Sequence, residues 1–212
     1  MIALCAKHHA MADAGAYTKE QLRSFKDEGV KRARDVKGRF EWMRQSIVAV
    51  VGNSFYFGTP IIVQMNGQPV VWFNRDEEGY LLLNVNMPTI SGEPRVRIED
   101  NFWLLVGEPV DLVSPPSGRS LRVSYANGDS LEVEFATLNS AEVAQARYPN
   151  SHALLGDTCL PTTAVEVYFK IAGTAIEFSR GRTKVKGFTV GPFAIHGFRV
   201  ALDIDFHDSR LG

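Results

Sequence analysis

Residues 121–135, LRVSYANGDSLEVEF, carry the clearest structural signal in this 212-residue chain. Leu121, Val123 and Tyr125 alternate with polar residues before Ala126-Asn127-Gly128-Asp129, and Leu131, Val133 and Phe135 alternate after it. Successive side chains of a strand point to opposite faces, so each half offers one apolar face to a core. Asn and Gly accept the positive φ that a tight turn between such runs requires. The stretch predicts a β-hairpin with its apolar face inward.

Outward from this hairpin the same texture continues. PIIVQM (60–65), PVVWFN (69–74) and GYLLLNVN (79–86) read as strands set apart by N-G, E-G and S-G turns. Further on, Val165, Val167, Phe169 and Ile171 face one way, and Glu166, Tyr168 and Lys170 the other. Ser140 to Arg147 reads as a short helix, followed by a loop with proline from Tyr148 to Thr163. Runs apolar on both faces, such as IIV and LLL, suggest strands covered on both sides.

Before Gly52 the spacing is helical. Ala, Leu, Met and Lys dominate residues 2–14, and Gly15 falls where a helix would end. Thr18 opens T-K-E-Q, a capping box that Gln21 closes, with Leu22 and Phe25 following. A third helix is expected from about Arg39 to the 47–51 run, with Phe40, Met43 and Ile47 on one face and Gly52 and Asn53 stopping it. The expected fold is therefore α+β: a helical segment over residues 1–52 packed on a β-rich body over 53–212. For that body a solenoid of short strands is favoured slightly over a sandwich, although the runs have no fixed spacing that would prove a repeat.

Composition narrows the function classes. Hydrophobic residues make up 45% of the chain and charged residues 22%, as in ordinary globular proteins. Cys5 and Cys159 lie far apart and form no disulfide framework, which points to a reducing, cytoplasmic setting. No targeting segment is expected at the start, and the longest apolar run, Ile47 to Val51, is too short to span a bilayer. The net charge of −1 conceals an asymmetry. Residues 1–45 hold ten Lys/Arg against six Asp/Glu, leaving thirteen against eighteen for the rest. A basic first segment suits a phosphate-bearing partner.

That segment also carries the chain's densest group of metal-type ligands, Cys5, His8, His9 and Asp13. Residues three or four apart share a helix face, so His9 with Asp13, and Cys5 with His8, each form half a coordination shell. The stretch ALCAKHHAMADAGAYTKEQL (3–22) resembles the C-terminal end of the ββα-metal motif of HNH endonucleases. The resemblance implies that His9 and Asp13 hold a divalent ion, Mg or Zn, for phosphodiester hydrolysis. It also implies that Cys5 and His8 belong to a structural zinc site. In that family a base-bearing hairpin, an asparagine and a first cysteine pair precede this helix, so Met1 is expected to mark an N-terminally truncated nuclease with little or no cleavage activity. GRFEWMRQSIVAVVGNSFYF (38–57) and the β-rich remainder resemble the accessory region attached to some bacterial HNH proteins. The rival expectation is a non-catalytic β-rich binding or interaction module with a protein partner.

Several other residues invite a functional reading. Lys31, Arg32, Arg34, Lys37 and Arg39 are expected to track a DNA backbone, although interleaved Asp35 and Glu41 equally suit a solvated helix face. Phe55, Tyr56, Phe57, Trp72, Phe73, Phe102 and Trp103 could stack on bases if exposed, but their apolar flanks favour the core. Asp203, Asp205 and His207 alternate along DIDFHD and read as a polar strand face, while His152, Cys159 and His196 read as structural.

Overall fold

The computed structural model describes residues 37–40, 42–156 and 160–205. The chain divides into two units, Met1–Val36 and Lys37–Gly212, and all described residues lie in the second. The expected helices over 2–14 and from Thr18 lie outside the described residues.

The second unit is built mainly from strands in two mixed sheets. The first sheet has the order β1 (Lys37–Arg39), β8 (Phe102–Leu104), β7 (Arg97–Glu99), β6 (Leu81–Asn86), β5 (Gln68–Arg75), β4 (Ile61–Met65) and β17 (Val200–Ile204). The main path of the second runs β15 (Phe188–Val190), β14 (Arg182–Val185), β13 (Ile176–Ser179), β12 (Thr162–Ile171), β11 (Ser130–Leu138), β10 (Ser120–Tyr125) and β9 (Pro109–Val113). β2 (Val48–Val51) lies parallel to the first half of β12 and antiparallel to β3 (Ser54–Phe57), and β16 (Ala194–His196) lies parallel to β3.

The 121–135 hairpin forms with its apolar face inward, as expected, and its register sets Leu121 opposite Val133 and Val123 opposite Leu131, all four buried. The β4–β5 hairpin turns on Asn66 and Gly67, both at positive φ (49° and 75°), between the paired residues Met65 and Gln68. This is the two-residue turn whose twist matches that of the strands. The short helix expected over 140–147 forms as α1 (Ala141–Arg147), the single α-helix among the described residues, and Ser140 caps it by accepting from the Val143 N–H.

Two expectations are corrected. The described residues of the 39–51 stretch form no helix and the class is not α+β: Lys37–Arg39 and Val48–Val51 are strands, and the described residues are mostly β. Three β-branched residues in Val48-Ala49-Val50-Val51, buried throughout between β12 and β3, prevail over the accidental helical spacing of Phe40, Met43 and Ile47. Phe40 is buried against Phe135 while Met43 stands in solvent, so they share no apolar stripe. The body is also not a solenoid. Stacked coils pair neighbouring turns, whereas here β17 pairs with β4, β2 with β12 and β1 with β8.

Two packing regions matter for the surface. Phe40 and Trp42, just after β1, lie 5.1 and 5.2 Å from the ring of Phe135, joining the first sheet's edge to the second sheet's core. A separate cluster of Val48, Val50, Phe55, Leu138, Ala144, Tyr148 and Leu155 sits beneath α1. Its members Leu138, Ala136 and Ala164 share the β11–β12 face that carries Glu134 and Glu166. No helix among the described residues is long and apolar enough to cross a membrane.

Candidate nucleic-acid interface

The corner of the first sheet made by β1, β8 and β7 presents an open, basic and aromatic face. Asp100 and Asn101, at φ 47° and 69°, make the two-residue β7–β8 turn. The buried Asn101 fixes it by accepting from Leu83 N–H through Oδ1 (2.8 Å), and its carbonyl accepts from Phe40 N–H (2.9 Å). Asp100 Oδ1 accepts from Asn74 and Asn84 side-chain amides at 2.9 and 3.1 Å. On the inner face the Trp103 ring lies directly over Gly38, where a Cβ would stand 2.4 Å from a ring carbon. Only glycine lets this indole cross β1.

Alternation then sets the outer face. One row across the strands is Lys37, Leu104 and Arg97, and the next is Arg39, Phe102 and Glu99. Phe102 is 54% and Leu104 46% exposed, and the Arg39 guanidinium sits 4.8 Å from the Phe102 ring centroid. With Pro94 and Val106 these residues line a groove of about 850 Å³. Three cations against one carboxylate make the local field positive, and aromatic rings in such a field stack on bases while cations meet phosphates.

No known protein family, curated protein or solved structure matches this chain. The site therefore rests on its own geometry.

A second charged cluster lies on the second sheet. Glu134 and Glu166 face each other across β11 and β12, and the Glu166 side chain has no exposed surface. Arg147, at the end of α1, donates from Nε to Glu166 and pairs through Nη2 with Glu134 at 2.7 Å. Arg180 Nη2 reaches both carboxylates at 3.1 Å, and the hydroxyls of Tyr148 and Tyr168 also donate to Glu166. Burial works against the Glu134 charge, but hydrogen bonds and charge from Arg147 and Arg180 outweigh it and hold its carboxyl below the ordinary range. Burial, and then the adjacent Glu166 charge, push both tyrosines above their ordinary value. Every member faces another member, so the cluster is a lock rather than a binding site.

The residues singled out in the sequence divide accordingly. Cys5, His8, His9, Asp13, Lys31, Arg32, Arg34, Cys159 and His207 lie outside the described residues. Among the described residues no three His, Cys, Asp or Glu side chains gather as a metal site. Lys37 and Arg39 are brought together with Phe102, on a strand rather than the expected helix. Phe55, Tyr56, Phe73 and Trp103 are buried. Asp203 accepts from Gln64 across β17 and β4, and His196 stacks on Phe57 at 4.4 Å. Arg97 was not singled out because only register places it in one row with Lys37, across Leu104. Glu166, read only as facing away from Val165 and Val167, is buried beneath Arg147 and Tyr148 at the end of α1.

Proposed function

We propose that the second unit is a binding module for single-stranded nucleic acid, with DNA the expected partner. The exposed Phe102, flanked by Lys37, Arg39 and Arg97 on one sheet face, carries this reading. Single strands leave base faces free to stack, and every base has one, whereas a duplex offers mainly phosphates to such a surface. The resemblance of residues 3–22 to an HNH segment adds a DNA-directed context. We assign no cleavage step to the described residues, and expect Mg²⁺-dependent nicking of plasmid DNA by this chain to be weak or absent.

The test is fluorescence anisotropy with labelled single-stranded and duplex oligonucleotides. The single strand should bind at low salt and weaken steeply between roughly 50 and 200 mM salt, with the duplex weaker throughout. No binding of the single strand at low salt would overturn the proposal.

A further inference from the structure

One side chain of the basic face has the wrong sign for a surface that meets phosphates. Glu99 lies opposite Phe102 across β7 and β8, completes the row Arg39, Phe102, Glu99, and lines the same groove. It is exposed, and among the described residues its carboxylate has no hydrogen-bond or ion-pair partner, although Arg39 and Arg97 lie on its face of the sheet. Such a carboxylate weakens the pull on every phosphate that approaches. A contact that only an acceptor can make would offset that cost.

The position of Glu99 is set by the turn beside it. Glu99 and Phe102 flank the two-residue turn of Asp100 and Asn101, which is pinned to β6. Asp100 N–H donates to Asn84 Oδ1 at 3.0 Å, and Asn101 N–H to the Leu83 carbonyl at 3.0 Å. Arg39 approaches the Phe102 ring from β1, and Glu99 stands on the other side, on β7. The row Lys37, Leu104, Arg97 runs two residues further along the strands, about 7 Å away. A nucleotide whose base rests on the exposed Phe102 side chain can therefore turn its phosphate to Lys37 or Arg97 and its base edge to Glu99. With the backbone beneath these groups already fixed, binding has less to order.

We propose that Glu99 makes this single-strand site guanine-selective, accepting from the ring N1–H and the amino N2–H of the base that stacks on Phe102. This rests on the single-strand reading above. An ionised carboxylate only accepts, and its two oxygens suit two parallel donors. On the base edges that a single strand leaves unpaired, only guanine presents two donor nitrogens side by side. Adenine and cytosine each set one amino group beside an acceptor nitrogen, and thymine sets its ring N–H between two carbonyls that repel a carboxylate. Phe102 supplies affinity for any base, the cations hold phosphates, and Glu99 supplies the preference.

The test uses the full chain and anisotropy at one salt concentration, with thymine strands of about nine nucleotides, within the range of one such site. The central base is guanine, hypoxanthine, adenine, cytosine or thymine. Hypoxanthine is guanine without its amino group and keeps one donor of the two. Wild type should bind the guanine strand most tightly, about tenfold above the all-thymine strand, as expected of one bidentate pair. Hypoxanthine should lose most of that gain. Glu99→Ala should bind the all-thymine strand more tightly than wild type does, because a repelling charge is gone, and should show no preference for guanine. Phe102→Ala should weaken binding of all five strands. Equal binding of the five by wild type, with Phe102→Ala weakening each, would overturn the guanine selectivity and leave the single-strand reading standing. A guanine preference that survives Glu99→Ala, or that hypoxanthine retains in full, would also overturn it. Failure of wild type to bind any strand would overturn both. Because Glu99 is exposed, its replacement should leave the melting temperature unchanged, so a lost preference is not mistaken for a lost fold.

Discussion

The two charged surfaces of this protein use similar side chains to opposite ends. On the second sheet Arg147 and Arg180 close on Glu134 and Glu166, with two tyrosines completing the shell of the buried Glu166. On the first sheet Lys37, Arg39 and Arg97 share a face with one carboxylate, Glu99, and two exposed apolar side chains. Arginine content does not distinguish a lock from a binding face. What distinguishes them is whether carboxylates lie within reach and whether water is excluded around them.

The largest effect should come from opening the lock. Arg147→Met leaves Glu166 buried beside Glu134 with only Arg180 to offset both, and should cost about 3 kcal/mol in urea unfolding. Nucleic-acid affinity should not change at temperatures where the variant is folded. A cost below about 0.5 kcal/mol, the range of ordinary surface substitutions, would mean that the cluster is not a lock.

Acid should open the lock more gradually. Burial opposes the charge of both Glu134, in the lock, and Asp129, at the hairpin tip outside it, but the folded-state pKa of Glu134 is lowered by hydrogen bonds and charge from Arg147 and Arg180, and that of Asp129 by hydrogen bonds from Asn127, Arg95, Ala172 and Thr89. A depressed carboxylate contributes stability that is complete above its unfolded value and lost as pH falls through the folded one. With unfolded Asp and Glu titrating near 4, the urea midpoint should be level from about pH 8 to 5 and fall below about pH 4. In Arg147→Met the acid limb should be shallower, because Glu134 loses part of the interaction that lowers its pKa. An identical acid limb in the two proteins would remove Arg147 from that role.

On the open face the expected changes are in binding alone. Phe102→Ala should weaken single-strand binding about tenfold, within the range for one stacked base, and leave the melting temperature unchanged. Calorimetry beside anisotropy separates the two readouts, and a lowered melting temperature would show that Phe102 is a packing residue. Arg39→Ala should have the smallest effect. The slope of log affinity against log salt should become shallower by about one, without altering any preference among bases. An unchanged slope would show that Arg39 meets no phosphate.

How much of this was legible depended on how local the signal was. The 121–135 hairpin and the short helix over 141–147 were readable because such signals, alternation and Asn-Gly among them, act within a few residues. The stretch from about Arg39 to the 47–51 run was misread as a helix because the spacing of Phe40, Met43 and Ile47 imitates one, while the deciding fact, β12 lying alongside Val48–Val51, is more than a hundred residues away. Lys37 and Arg39 were chosen for charge, and that choice did not depend on the helix they were assigned to. Arg97 carries no local mark, because it joins the row of Lys37, across Leu104, only through β1–β8–β7 pairing.

The amino-acid sequence alone determined the β-rich character of the chain, its short hairpins, its one described helix and the placement of positive charge near its start. These follow from side-chain alternation, φ preferences and composition, which operate over a few residues. Tertiary structure alone decided that β2, β3 and β4 take parallel partners from far along the chain, that Glu134 and the buried Glu166 share two arginines, and that Phe102 faces outward while Trp103 faces in against Gly38. Register across a sheet is set by which distant strand arrives alongside, and a one-residue shift would exchange every inward side chain for an outward one.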